Sequence, residues 1–259
     1  MTYVDTHCHL DHHPEATADE QVARARAADV GTLITIGTDL PSSEQAVRTA
    51  ARFDGVFAAV GIHPNDADTA TTEALAAIAD LAMRPEVVAI GETGLDRYRD
   101  HTTPEQQDPV FRAQIELAKR LDLTLVIHCR DAWPACLVVL DEEGAPDRVV
   151  MHCFSGDLDV VRRCADAGWY LSFAGNVTFR NAQELRDAAA AVPAELLLTE
   201  TDSPYLTPHP YRGRWNDPSF VPHTLRALAA TRGEEPEDLA ASVRDNTVRA
   251  FALPVPAED

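Results

Sequence analysis

Eight times along this chain, a short run of β-branched or apolar residues gives way to an Ala-rich segment with helical periodicity. The strand-like runs are Tyr3–Thr6, Thr32–Ile36, Val56–Val60, Val87–Ile90, Thr124–Ile127, Arg148–His152, Trp169–Phe173 and Leu196–Thr199. Helical patterns follow at Asp19–Ala28, Ser43–Ala51, Glu73–Met83, Glu105–Leu121, Ala132–Leu140, Leu158–Ala167 and Ala182–Ala191, with two more at Pro222–Ala230 and Pro236–Phe251. Ser42-Ser43 after Pro41, and Thr103-Pro104-Glu105, carry helix-start chemistry. The rhythm predicts an α/β fold, a closed parallel (β/α)8 TIM barrel. An open doubly wound sheet usually places a Gly-rich phosphate loop after its first strand, and no such loop is present. No linker, charge block or low-complexity stretch interrupts the 259 residues, so one barrel domain over 1–259 is expected.

A barrel of this kind puts reactive groups at the C-terminal ends of its strands. His7 and His9 end the first run and, two residues apart, share a strand face. Asp5 shares that face and is placed to orient one ring from behind. Glu92 ends the fourth run, His128 the fifth, His152 the sixth and Asp202 the eighth. Four imidazoles and two carboxylates exceed what one tetrahedral ion needs, and suit two divalent cations bridged by a carboxylate. Glu92, from the middle of the ring, is the natural bridge. Imidazole-rich ligation favours Zn²⁺ or Mn²⁺, while carboxylates and a phosphate substrate also admit Mg²⁺. Lys119 is the only lysine and falls within a helical pattern, so a carboxylated lysine bridge is closed to this chain.

Cys8, Cys129 and Cys153 each adjoin a ligand-type histidine, but on the opposite strand face. They are expected to point into the apolar layer between barrel and helices as buried thiols. Five scattered cysteines do not form a secreted disulfide framework, and a cytoplasmic setting follows. No apolar run approaches the roughly 20 residues of a membrane span, and no signal peptide is expected. The formal net charge of −20 disfavours a tight, non-specific polyanion binder but not an enzyme that grips a few phosphates locally.

The segments Val4–Leu10, Gly61-Ile62-His63-Pro64, Gly91–Asp96, His128-Cys129-Arg130, His152–Gly156 and Thr199–Leu206, taken in order, resemble the TatD family of metal-dependent deoxyribonucleases. Asn246-Thr247 and Phe251 extend the resemblance to the tail. It implies a TIM barrel, divalent cations and hydrolysis of phosphodiester bonds in DNA, often 3′-to-5′ on single strands. It also implies His7, His9, Glu92, His128, His152 and Asp202 as ligands.

Around that core, Asp202 is placed to take the proton of the attacking water while also serving as a ligand, and Glu92 joins it as a catalytic carboxylate. Glu200, on the face of Asp202, reads as a supporting carboxylate, a base or a surface acid. Arg130 is the expected phosphate clamp. His63 either donates to phosphate or bonds its own turn before Pro64. Arg180, Arg212 and Arg214 are surface arginines or contacts to flanking nucleotides, and Tyr205 and Trp215 stack on bases or pack their loop. DNA is thus the expected partner, single-stranded or at 3′ ends, with no membrane and no obligate protein partner. A barrel hydrolase of a small-molecule ester, amide or phosphoester is the alternative, and a non-catalytic metal scaffold a more distant one.

Overall fold

The computed structural model describes residues 2–254. Residues 1 and 255–259 of the expected 1–259 unit lie outside the described residues. Strands β1 (Tyr3–Cys8), β2 (Val30–Ile36), β3 (Val56–Val60), β4 (Val87–Asp96), β5 (Thr124–Arg130), β6 (Val149–Met151), β7 (Tyr170–Phe173) and β8 (Leu197–Thr199) form one sheet in sequential order, each parallel to the next. Helices α1 (Ala18–Ala27), α2 (Leu40–Ala50), α3 (Thr72–Leu81), α4 (Pro104–Leu121), α5 (Trp133–Glu143), α6 (Leu158–Asp166) and α7 (Gln183–Ala191) alternate with them, followed by α8 (Val221–Arg232) and α9 (Pro236–Ala250). This is the expected barrel.

Side-chain and backbone hydrogen bonds bring the last strand back to the first. The Asp5 carboxylate accepts from the Thr201 backbone N–H at 2.9 Å and from its hydroxyl at 2.6 Å. The Thr6 hydroxyl donates to the Thr199 carbonyl at 3.1 Å, and the His9 N–H to the Ser203 carbonyl at 2.8 Å. Asp5 therefore does not orient a histidine ring. Its lone pairs are taken by the chain that follows β8.

Two buried apolar clusters result. The larger lies between sheet and helices and contains Cys8, Cys129, Cys136 and Cys164. The smaller fills the barrel with Ile34, Ile36, Ala59, Ala89, Val126, Val150 and Leu198, closed by Phe251 and Leu253 from beyond α9. Cys8 and Cys129 thus occupy the layer expected of them. Cys153 does not: β6 ends at Met151, and Cys153 is half-buried in the following turn at φ +44°.

Two local expectations also shift. Helix α2 begins before Ser42-Ser43, because Asp39 is its N-cap and accepts from the Ser42 N–H at 2.8 Å. Strand β4 runs six residues past Ile90, its pairing with β5 broken between Ile90 and Thr93 and resumed through Asp96 and Arg130. Such an irregularity re-aims side chains, and it contains Glu92. Helix α4 holds this extension with two buried amides seven residues apart on one face. Gln114 donates to the Ile62 carbonyl at 2.9 Å and to the Thr93 hydroxyl at 2.7 Å. Gln107 accepts from the Asp96 N–H and donates to its carbonyl, each at 3.0 Å.

Candidate metal centre

The six groups expected at the strand ends converge on one mouth, with Glu92 in the middle. Its Oε2 lies 3.3 Å from His7 Nε2 and 3.9 Å from His9 Nε2. Its Oε1 lies 2.9 Å from His128 Nδ1, 3.0 Å from His152 Nε2 and 3.4 Å from His63 Nε2. Each carboxylate oxygen therefore faces its own set of imidazoles. Asp202 completes the first set, 3.5 Å from His9 Nε2 and 3.9 Å from His7 Nε2. Three overlapping groups bring ligand atoms within 4.8 Å of one another: His7, His9 and Asp202; His7, Glu92 and His152; His63, Glu92 and His128.

Asp202 reaches the mouth from a turn rather than from the strand, since β8 ends at Thr199. It adopts φ +53°, a conformation that Asp tolerates better than most residues. Its N–H donates to the His7 carbonyl at 2.9 Å, which pins the turn to β1. Glu92 depends on two glycines. A Cβ on Gly91, at φ +149°, would stand 2.6 Å from the Val126 carbonyl oxygen. One on Gly94, at φ +132°, would fall on the His128 carbonyl.

Carboxylates behind the imidazoles fix their orientation. Glu200 Oε1 lies 3.0 Å from His152 Nδ1 and accepts from the Cys153 N–H at 2.8 Å. Glu200 is fully buried, which rules out the surface acid, and it stands where a supporting carboxylate would. Asp96 was not singled out from sequence, yet its Oδ2 lies 3.0 Å from His128 Nε2, leaving Nδ1 toward Glu92. Its signal was present: Asp96 is four residues from Glu92 and closes the same motif, but its job is legible only if β4 continues that far. His63 satisfies the turn reading, because its Nδ1 accepts from the Asn65 N–H at 3.0 Å, while Nε2 faces Glu92. Asn65 in turn donates to Asp96 at 3.2 Å.

The electrostatics suit a cationic guest. Burial, reinforced by His152, lowers His7 to about 3, so its imidazole is neutral. Burial opposes ionisation of Glu92, yet His152, His63 and His7 hold it well below the usual carboxylate range. Burial likewise opposes the His152 cation, but Glu92 and Glu200 push it well above a free imidazole. The test of fit is His7: it is fully buried, and neither ring nitrogen makes a well-aligned hydrogen bond among the described residues, although Glu92 Oε2 stands 3.3 Å from Nε2. A buried imidazole in that state is costly unless something accepts its lone pair. The N/O donor set around it fits borderline divalent ions.

Around the mouth, Arg130 is exposed and its guanidinium lies 3.7 Å from the Tyr98 ring centroid. Arg212 covers the Phe179 ring at 3.9 Å, and Arg180 and Arg214 are exposed. Trp215 lines a groove of about 810 Å³ with His13, Arg24, Arg214 and Phe220.

The model of the family described as TatD related DNase matches residues 4–252. An uncharacterized metal-dependent hydrolase TatD of Mycobacterium tuberculosis is 45% identical over 258 residues, covering 96% of this chain and 98% of that protein. The 3′-5′ ssDNA/RNA exonuclease TatD of Klebsiella pneumoniae is 41% identical over 244 residues, 92% of each chain. Among solved structures, the TatD homologue YjjV of Escherichia coli superposes with a TM-score of 0.92 at 30% identity, covering 98% of this chain and 99% of that one.

Proposed function

The chain belongs to the TatD-related DNase family, and from that premise we propose that it is a metal-dependent hydrolase of phosphodiester bonds in nucleic acid, removing nucleotides from 3′ ends of single strands. The carrying observation is the buried His7, without an aligned hydrogen bond, beside a Glu92 whose two oxygens face separate sets of imidazoles. His7, His9, Glu92, His128, His152 and Asp202 would hold two divalent cations, Zn²⁺, Mn²⁺ or Mg²⁺. When bound, such cations lower the pKa of water from near 16 toward about 7 and neutralise charge on the phosphate.

The protein's own groups do the rest. Asp202, the most exposed of the carboxylates at the centre, accepts the proton of the attacking water. Glu92 holds the two imidazole sets at a fixed separation. Glu200 and Asp96 hold the His152 and His128 rings by their far nitrogens. Arg130 clamps the phosphate, and His63 donates to it from Nε2. The protein works as one barrel domain in the cytoplasm, and no described helix is long and apolar enough to cross a membrane.

The test treats the protein with chelator, then adds back each metal with a 3′-labelled single-stranded oligonucleotide. The expected result is metal-restored release of mononucleotides from the labelled end. No product with any of the three metals overturns the reading. A second reading, hydrolysis of a small phosphoester or amide at the same centre, is favoured by one observation, the net charge of −20.

A further inference from the structure

Exposed aromatic rings are unevenly distributed on this molecule. Six large hydrophobic side chains are exposed among the described residues. The aliphatic ones, Met83, Val138 and Leu158, stand singly on the turn before β4, on α5 and on α6. The aromatic ones, Tyr98, Tyr205 and Trp215, all lie in the loops that follow β4 and β8, on the face that carries the metal centre. Four strands apart in an eight-stranded barrel, β4 and β8 stand on opposite sides of the mouth. Isolated exposed apolar residues need no explanation, but rings flanking a site on both sides do.

Two of the rings are fastened to the centre itself. The Tyr98 N–H donates to Asp96 Oδ1 at 2.8 Å, while the other oxygen of Asp96 holds His128. The Tyr205 N–H donates to the Asp202 carbonyl at 2.8 Å, and the Tyr205 ring centroid lies 6.1 Å from that of His9. Arg130 closes one face of the Tyr98 ring at 3.7 Å, yet Tyr98 is 58% exposed and Tyr205 51%. Side chains that only packed their loops would bury these rings. Here the backbone is fixed and an aromatic surface is left to solvent on either side of the metal-ligating residues.

Building on the nuclease reading above, we propose that Tyr98, backed by Arg130, and Tyr205 form a two-sided stacking clamp for the unpaired bases on either side of the scissile phosphodiester. Every nucleobase has a π-face, so such a clamp tolerates sequence but requires bases released from a duplex. The guanidinium behind Tyr98 stiffens that ring and leaves positive charge beside the phosphate. The clamp thereby makes single-strandedness a property of two side chains rather than of the metal centre.

The test compares three substrates at fixed metal: a short oligothymidylate, the same strand with abasic residues on both sides of its 3′-terminal linkage, and bis(p-nitrophenyl) phosphate. The wild-type protein is expected to show a KM about a hundredfold lower for the intact strand than for the abasic one, about tenfold for each stacked base. Tyr98→Ala and Tyr205→Ala should each raise KM for the intact strand by about tenfold. In the double variant the intact and abasic strands should become equivalent. Tyr98→Phe and Tyr205→Phe should behave as wild type, and thermal melting checks that every variant is folded. The clamp is overturned if the alanine variants still favour the intact strand as strongly as wild type, or if they lose the abasic strand to the same extent. Should the wild-type protein cleave the small diester but no strand, the nuclease reading itself has failed.

Discussion

At the scale of single residues, the centre is organised by one carboxylate with two jobs. Glu92 Oε2 meets His7 while Oε1 meets His128 and His152, so the side chain sets the spacing of both imidazole sets. Glu92→Gln keeps the shape but removes the charge that three histidines stabilise. It should lower turnover of an oligonucleotide by at least about 10²-fold and reduce metal content by elemental analysis. Asp202→Asn should cost about 10²–10⁴-fold in kcat, the range typical of a lost proton acceptor, with an unchanged circular dichroism spectrum. Turnover within a few-fold of wild type in either variant would remove that residue from the mechanism. Glu200 acts one shell out. Glu200→Gln still accepts from the Cys153 N–H but loses the charge behind His152. Metal affinity, read by competition with a chelating dye, should fall by about 10–100-fold. An unchanged affinity would show that the ring holds its orientation without that charge.

At the scale of elements, β4 decides how much of the site could be foreseen. The ligand set was legible because ligand-type residues recur at the ends of apolar runs, and the apolar runs announce themselves by composition. What was hidden is the path of Gly91–Asp96. Its glycines and polar residues carry loop signals, yet it pairs with β5 through Asp96 and is held there by Gln107 and Gln114 from α4. Those amides look like ordinary helix-surface glutamines until β4 supplies their partners. The roles of Asp5 and Asp96 depend on chain beyond an apolar run: Asp5 is met by Thr201 in the turn after β8, and Asp96 is placed only because β4 itself continues past Ile90. Cys153 was misplaced because β6 stops at Met151 and the turn rotates the next side chains away from strand alternation. The extension can be tested at its tightest point. Gly94→Ala adds a methyl group against the His128 carbonyl at a φ that L-residues avoid. It should destabilise the chelator-treated protein by at least about 2 kcal/mol in denaturant unfolding. It should also weaken metal uptake, because the displaced backbone carries His128. Unaltered stability would mean that β5 can retreat from β4 at no cost.

At the scale of the whole molecule, two fields oppose each other. The chain carries a formal net charge of −20, which repels a polyanion at long range. Much of its positive charge is spent in ion pairs, as at Arg52 with Asp19, Arg112 with Glu142 and Glu143, and Arg148 with Asp122. Arg130, at the end of β5, and Arg99, Arg180, Arg212 and Arg214, on the loops around the mouth, have no carboxylate partner among the described residues. An acidic body with an unpaired arginine rim predicts a particular response to salt. The Debye length falls from about 10 Å at 0.1 M to about 3 Å at 1 M. Over that range the long-range repulsion is already largely screened, and the remaining effect is release of counterions from the phosphates that the rim grips. Log kcat/KM for a single strand should therefore fall linearly with log salt, with a slope of about −0.7 per phosphate contacted. A strand touching two or three arginines would show a slope of roughly −1.4 to −2.1. Bis(p-nitrophenyl) phosphate, with one charge and no neighbouring phosphates, should show little dependence. A strand cleaved equally well across the range would leave the rim without a polyanion to hold. The acidic body would then be the better guide to the substrate, pointing to a small molecule at the same metal centre.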